Sequence, residues 1–212
     1  MSPLKRFERL EPERRANILD VAAEEFASKG YDNASLNQII AKSTLSKSSF
    51  YYYFHDKLDL FGAVLQFVFD PDRLFDWGTL YDARTPAELW QRFELAIAAS
   101  MEHTSREPRL VALGQAISQL PEALRQEGSV GGFMAQFVER GTRVFTHGQE
   151  IGAVRTDLPI GVILELVTTV NFVVSRHIMG RWSESDGHER ATLIATGVDA
   201  IRRVVGQRAP SD

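Results

Sequence analysis

The 212-residue sequence contains no cysteine. Without cysteine it has no disulfide, no thiolate nucleophile, and no Cys-ligated zinc or iron–sulfur cluster. The histidines at positions 55, 103, 147, 177 and 188 share no metal-ligand spacing. The Walker loop and the motifs G-x-G-x-x-G, G-x-S-x-G and H-E-x-x-H are also missing. We therefore expect no metal, no cofactor and no enzymatic activity.

An excess of positive charge is missing as well, because the formal net charge at pH 7 is −4. Residues 1–62 hold nine basic and nine acidic residues, whereas the rest of the chain holds 15 basic and 19 acidic residues. The negative excess lies wholly in the second part, so the sequence permits a basic contact surface near the N-terminus. We interpret residues 1–10, with Lys5, Arg6 and Arg9, as a flexible arm that is either solvated or reaches a DNA groove.

Strand patterns and membrane signals are weak. Helical periodicity runs through nearly the whole chain, and neither a long alternating run nor a hairpin dipeptide occurs. The N-terminus has no apolar leader, which with the missing cysteine favours a cytoplasmic protein. Residues 160–179 are mostly apolar, but Glu165 and Arg176 fall inside them. Either charge at mid-bilayer costs about 2.5–3.5 kcal/mol, so we expect a buried helix and no membrane partner.

Capping residues predict where the helices begin. Pro12 opens the first helix and Gly30 ends it, Ser35 opens the second, Ser46 a short third and Asp56 the fourth. After Asp70-Pro71 the helices become longer. They are expected to begin at Thr85 and to occupy about 107–119, 121–148 (interrupted at 128–132), 159–180 and 188–206. The fold class is therefore all-α, with the fourth helix joining a unit of short helices to a bundle of long ones.

Residues 34–53 have the spacing of a helix-turn-helix motif. Phe50 and Phe54 can face inward, which leaves the outer face of the short third helix free to enter a major groove about 12 Å wide. Any small bundle with a solvated surface helix gives the same spacing. The motif alone therefore leaves DNA binding and simple solvent exposure as alternatives.

A longer stretch, Ser35 to Phe61, carries a family resemblance. Its portion Ser-Lys-x-x-x-Tyr-x-Tyr-Phe-x-x-Lys-x-x-Leu-Phe, which begins at Ser46, resembles the TetR family of bacterial transcriptional regulators. The resemblance implies a helix-turn-helix DNA-binding domain at 11–70 and an effector-binding and dimerisation domain at 71–212. It also implies DNA contacts from Ser35, Asn37, Ser46, Lys47, Ser48, Ser49, Tyr51, Tyr52, Tyr53 and Lys57.

Two positions depart from the family pattern. Thr44 stands in the turn where Gly is usual, and Ser48 stands where Gly is frequent. If the turn needs a positive φ at position 44, a threonine there costs about 1–2 kcal/mol. Both departures bear on the operator sequence and on the shape of the turn, and neither changes the expected fold.

The resemblance further implies a homodimer on a near-palindromic double-stranded DNA operator, most often a repressor that a small-molecule effector releases. We expect the effector pocket among Trp90, Phe93, Met101, His103, Phe133, Met134, Gln136 and Phe137. We expect the dimer interface at Val167, Val170, Val174, Ile194, Val198 and Ile201. Burial inside one subunit is the competing use of both sets. A helical module that binds protein and a small-molecule enzyme are the alternative functions.

Overall fold

The computed structural model describes residues 5–181 and 184–207, and in this part of the chain the regular elements are all helices, with one isolated β-bridge between Val154 and Gly206. The helices are α1 (Lys5–Glu8), α2 (Pro12–Asn33), α3 (Leu36–Lys42), α4 (Lys47–Tyr53), α5 (Lys57–Val68), α6 (Pro71–Leu74), α7 (Trp77–Tyr81), α8 (Pro86–Ser105), α9 (Pro108–Gln119), α10 (Glu122–Arg125), α11 (Gly128–Glu150), α12 (Ile160–Gly180) and α13 (Gly187–Val205). The all-α prediction is confirmed.

The predicted helix starts follow from side-chain caps that the structure contains. Ser35, Ser46, Asp56 and Thr85 each accept a hydrogen bond from the backbone N–H three residues further on, over 2.8–3.4 Å. Each bond satisfies one of the N–H groups that the first turn of a helix leaves without an internal partner. Gly30, which was expected to end the first helix, has a φ of 71° and kinks α2, and the helix continues to Asn33.

Three short helices and one break differ from the sequence prediction. α1 lies in the predicted arm, and α6 and α7 lie between Asp70 and Thr85, where the sequence predicts no helix. The helix expected at 121–148 consists of α10 and α11, and it is interrupted at 126–127 rather than at 128–132. Helices of four or five residues bury too few side chains to show a clear periodicity, so the pattern alone does not reveal them.

The described residues form two compact units, which we call unit 1 and unit 2. Unit 1 holds the chain up to Asp70 together with Glu107–Gln136, and unit 2 holds Pro71–Arg106 and the chain from Phe137 onward. The first segment of unit 1 thus ends at Asp70. The expectation that 71–212 form one domain is wrong for 107–136, because α9 packs along α2 inside unit 1.

Unit 1 has an aromatic core. Phe26, Phe50, Phe54 and Phe61 are all completely buried, and the Phe26 and Phe61 ring centroids lie 4.8 Å apart. Since burying one such side chain stabilises a fold by about 1.5–3 kcal/mol, these four rings contribute much of the packing that holds the short helices together.

Helices α5 and α11 approach closely within unit 1. The backbone at Gly62 passes so near Ser129 that a Cβ on Gly62 would overlap the side chain and carbonyl carbon of Ser129. The buried Asp59 accepts hydrogen bonds from the Ser129 hydroxyl and from the backbone N–H of His55. The start of α11 is therefore tied to the helix that directly follows α4.

Unit 2 buries one face of α12 against α8 and α13. Ile163, Leu164 and Ile178 belong to its core, whereas Val162, Phe172 and Val173 are exposed. Within the described chain, Ile160–Met179 is long and apolar enough to span a membrane, and 17% of its apolar window is buried. The expectation of a helix buried on several faces is therefore wrong, because α12 has one buried face and one exposed apolar face.

Candidate DNA-binding interface

Helix α4 has a fully buried side and an exposed side. Phe50 and Phe54 are completely buried, whereas Tyr51 and Tyr52 are 53% and 50% exposed. Consecutive residues on a helix point about 100° apart, so the buried phenylalanines fix the direction of the two exposed tyrosines. Tyr53 is half-buried, so it lies between the buried and the exposed side.

Three hydroxyl groups cluster at the first turn of α4. The Ser46 Oγ accepts the Ser49 backbone N–H over 3.0 Å and lies 2.9 Å and 2.8 Å from the Ser48 and Ser49 hydroxyls. Ser46, Lys47 and Ser48 are exposed. Hydroxyls, a cationic side chain and the N–H groups of a helix start are the groups that bind DNA phosphates and base edges.

The start of α3 is fixed by a buried carboxylate. Glu25 on α2 accepts the backbone N–H of Ser35 over 3.1 Å and the Lys29 ammonium over 2.9 Å. The hydrogen bond from Lys29 is the largest cause that holds the pKa of the Glu25 carboxyl below its ordinary value, so this group is ionised at neutral pH. Ser35 is thereby held at the entrance of α3, beside the exposed Asn37.

Lys57 has a structural role besides the predicted phosphate contact. Its ammonium donates to the carbonyls of Asp32 and Ala34 over 2.9 Å and 3.3 Å, and it lies 4.8 Å from the centroid of the Tyr31 ring. An ammonium has three N–H donors, so these two bonds leave one for DNA. The main role of Lys57 in the structure is thus to bind the carbonyl groups at the end of α2.

The turn between α3 and α4 has the conformation that favours glycine. Thr44 has a φ of 55°, the one positive value among the described non-glycine residues. Because a β-branched residue is strained in this region, the turn keeps the glycine-type geometry at a cost.

The described part of the predicted flexible arm is ordered on α4. Phe7 is 2% exposed, and its ring centroid lies 4.7 Å from that of Phe54 and 5.8 Å from that of Tyr53. The Arg6 guanidinium lies 4.1 Å from the Tyr52 ring centroid. The arm prediction is thus wrong for Lys5–Glu8, and residues 1–4 lie outside the described residues.

The residues expected in an effector pocket do not share one unit. Phe133, Met134 and Gln136 belong to unit 1, where the Phe133 ring lies 5.9 Å from that of Phe69. Trp90, Phe93, Met101, His103 and Phe137 belong to unit 2. The first three of these are in its core, and Trp90 also borders a cavity of about 220 Å³, whereas His103 is exposed. His103 is therefore not a buried polar group facing a ligand.

Four of the residues expected in the dimer interface are internal. Val167, Ile194, Val198 and Ile201 lie in the core of unit 2, where neighbouring side chains already cover them. Val170 and Val174 are partly buried and pack against the same core. The assignment of those four valines and isoleucines to a partner-facing seam is therefore wrong. The apolar side chains that remain exposed are Val162, Phe172 and Val173 on α12 and Val204 on α13.

Comparisons with known proteins agree with the helix-turn-helix motif described above. The family model described as bacterial regulatory proteins, tetR family, matches residues 18–64. The transcriptional activator FasR of Mycolicibacterium smegmatis is 35% identical over 102 residues, which are 47% of this chain and 45% of FasR. The transcriptional repressor DhaR of Mycobacterium sp. strain GP1 is 28% identical over 145 residues, which are 68% of this chain and 71% of DhaR.

Solved structures share the fold at low sequence identity. FadR from Bacillus subtilis, in complex with stearoyl-CoA, has a TM-score of 0.64 and 15% identity, with 88% of this chain and 96% of FadR covered. SmeT from Stenotrophomonas maltophilia, in complex with triclosan, has a TM-score of 0.62 and 18% identity, with 93% of each chain covered. The fold and the exposed helix are those of a helix-turn-helix domain. Residues 18–64 are similar to the TetR family of bacterial regulatory proteins, and the relatives FasR and DhaR are transcriptional regulators. The chain spans less than half the length of FasR.

Replacement of Thr44 with glycine should stabilise the protein. Glycine adopts a φ of 55° without the Cβ clash, so Thr44→Gly should raise the free energy of unfolding by about 1 kcal/mol and Tm by about 2–4 °C. Thr44→Ala is the matched control, because alanine keeps a Cβ at the same φ. Thermal unfolding that ranks the glycine variant at or below the alanine variant would contradict this account of the turn.

Proposed function

We propose that the protein is a homodimeric repressor that binds a near-palindromic operator and is released from it by an apolar small molecule. The observation that carries the proposal is the exposed side of α4. Tyr51 and Tyr52 are half exposed there although they neighbour two completely buried phenylalanines. These two large aromatic side chains are exposed to solvent beside a helix start that carries serine and lysine. Together they form a surface suited to the phosphates and base edges of DNA.

We propose that α4 lies in the major groove of the operator. Lys47, Ser48 and Tyr52 then contact base edges and phosphates, and the starts of α3 and α4 face the backbone with Ser35 and Ser46. Tyr53 and Lys57 are half-buried, so we assign them fewer contacts than the exposed members of the predicted set. One helix of seven residues covers only a few base pairs, which is why affinity and specificity call for two copies.

The exposed face of α12 supports a symmetric dimer. Val162, Phe172 and Val173 are spaced so that they lie along one side of the helix, and Phe172 and Val173 are 39% and 49% exposed. Apolar side chains grouped on one helix face are typical of an interface between subunits. We propose that two copies pair along this face, with Val204 of α13 at its margin. A two-fold pair presents two reading helices to half-sites about 34–36 Å apart.

The effector proposal rests on relatives and on composition. FadR is found with stearoyl-CoA and SmeT with triclosan, and both ligands are largely apolar. Unit 2 contains Trp90, Phe93 and Met101, side chains that can rearrange around an apolar guest. To weaken DNA binding 100-fold, the effector must prefer the non-binding form by about 2.7 kcal/mol, an ordinary coupling energy. DhaR is a repressor and FasR an activator, and we propose repression because DhaR is matched over the larger part of its length.

Substitution of the exposed side of α4 should weaken operator binding without loss of the fold. We expect Lys47→Ala and Tyr52→Ala each to weaken binding at least tenfold per subunit, because each removes one contact to DNA. Footprinting on the DNA that flanks this gene, repeated at several salt concentrations, measures the effect. Arg106→Ala is the control, since it removes an exposed charge from unit 2. Wild-type protein without salt-sensitive, sequence-dependent binding would count against the whole proposal.

A charge placed on the exposed face of α12 should separate the dimer. Val173→Glu is compatible with the folded subunit because the side chain is half exposed, but it would place two carboxylates in the proposed interface. Light scattering should show a fall from twice the 23.8 kDa chain mass to the mass of one chain. Leu95→Glu, at an exposed apolar residue of α8, should leave the dimer intact. Dimers of unchanged stability in the Val173 variant would exclude this face.

An apolar effector should both stabilise the protein and release it from DNA. At 100 times its Kd a ligand adds about 2.7 kcal/mol to the free energy of unfolding, which raises Tm by several degrees. Stearoyl-CoA and triclosan are the first two compounds to test by thermal shift. A compound that raises Tm yet leaves operator affinity unchanged would be a ligand without regulatory effect, which contradicts the release mechanism.

A further inference from the structure

The N-terminal turn, α1, packs on α4. Phe7 inserts its ring against Phe54 and Tyr53 and is almost fully buried. The turn is closed by a bond from the Leu10 backbone N–H to the Phe7 carbonyl over 3.1 Å, and the Arg15 guanidinium donates to the Glu8 carbonyl over 3.0 Å. The residue next to Phe7 therefore has a defined position relative to α4.

That residue, Arg6, lies over the ring of Tyr52. The distance from its guanidinium carbon to the ring centroid is 4.1 Å, within the range of a cation–π contact. Both side chains are exposed. Stacking uses the flat face of a guanidinium and leaves the N–H donors at its edge, the geometry in which arginine binds phosphate with two parallel hydrogen bonds.

Two other cations near α4 are engaged within the protein, whereas Lys47 on α4 itself is exposed. Lys57 donates to two carbonyls, and Lys42 lies 3.9 Å from the buried Glu25 carboxylate. Basic and acidic residues are balanced over residues 1–62, so each cation presented beside the exposed tyrosines has a large effect on the local potential. Arg6 is such a cation, and it adjoins the ring that the proposed function places at the DNA.

We propose that Arg6 is a further DNA-contact residue, which donates from its stacked position on Tyr52 to a backbone phosphate beside the groove that receives α4. Phe7 is the positioning residue that holds it there. The inference rests on the proposed DNA-binding function and extends it to α1. A guanidinium already held in place loses little conformational freedom on binding, so its contact adds to affinity more fully than that of a mobile tail.

The test begins with an operator duplex selected from a random pool by the full-length protein. Each phosphate contact contributes about 0.9 to the slope of log affinity against log salt, so Arg6→Ala should reduce the slope by about two for a dimer. Affinity should fall roughly tenfold per subunit, the equivalent of one charge-assisted hydrogen bond. The base preferences in a repeated selection and the Tm should stay unchanged. Arg106→Ala, an exposed arginine of unit 2, should reproduce neither the slope nor the affinity change.

Substitutions at Tyr52 test whether the effect of Arg6 on DNA affinity requires the aromatic ring that holds its guanidinium or only its positive charge. Tyr52→Phe keeps the ring, and in that background Arg6→Ala should show its full effect on the salt slope. In a Tyr52→Ala background the same substitution should have a clearly smaller effect. Arg6→Lys should be intermediate, because an ammonium keeps the charge but not the planar edge.

The possible outcomes distinguish this inference from the proposed function. If no duplex is enriched by the wild-type protein, the DNA-binding proposal fails. If the wild type binds and Arg6→Ala matches it in affinity and salt slope, only the role of Arg6 fails. A changed base preference with an unchanged slope would mean that Arg6 contacts bases, which overturns the phosphate assignment.

Discussion

Burial of Phe50 and Phe54 is the interaction on which the proposed DNA-binding surface depends. Helix α4 has seven residues, and an isolated helix of that length does not form in water. The two rings contribute about 1.5–3 kcal/mol each when they leave water, and they fix the rotation of the helix about its axis. The exposure of Tyr51 and Tyr52 is a consequence of that rotation. Phe7 covers Phe54 in turn, so the same anchor also orders the N-terminal turn.

The surface around α4 uses its charges for two purposes. Glu25 and the cations around it hold the start of α3 against α2, and Lys57 closes the end of α2. These bonds fix the geometry of the motif but reduce the number of positive groups free to meet DNA. Hydroxyl groups and helix N-termini therefore carry a larger share of the polar surface than in a strongly basic DNA-binding protein, which suits a chain with a net charge of −4.

The sequence predicts local features well and the partners of apolar residues poorly. Caps such as Ser46 and Asp56 are local because donor and acceptor lie three residues apart, and their predictions are confirmed. The positive φ at Thr44 was a condition drawn from the family pattern, which has Gly at this place, and the structure shows that it is met. Helical periodicity shows only that a face is apolar. It does not show whether the subunit or a second copy covers that face, and so Val198 was assigned to an interface although it lies in the core.

The sequence also hides contacts between distant segments. Phe7 has no periodic neighbour that would reveal its burial against α4, and 70 residues separate Ser129 from Asp59. Such contacts depend on how the helices are arranged, which no pattern within one helix contains. The eight residues expected in a pocket were chosen for their chemistry alone, and the structure divides them between the two units.

The close approach of α5 and α11 has a consequence for chimeric regulators. The DNA-binding unit is not the continuous segment that ends at Asp70, because Glu107–Gln136 complete its core. A fusion that transplants only the first 70 residues would leave the Asp59 carboxylate without the Ser129 hydroxyl and would strip α9 from the side of α2. A functional fusion to another effector-binding domain must therefore include both segments of unit 1. It must also keep glycine at position 62 so that α11 can pack against α5.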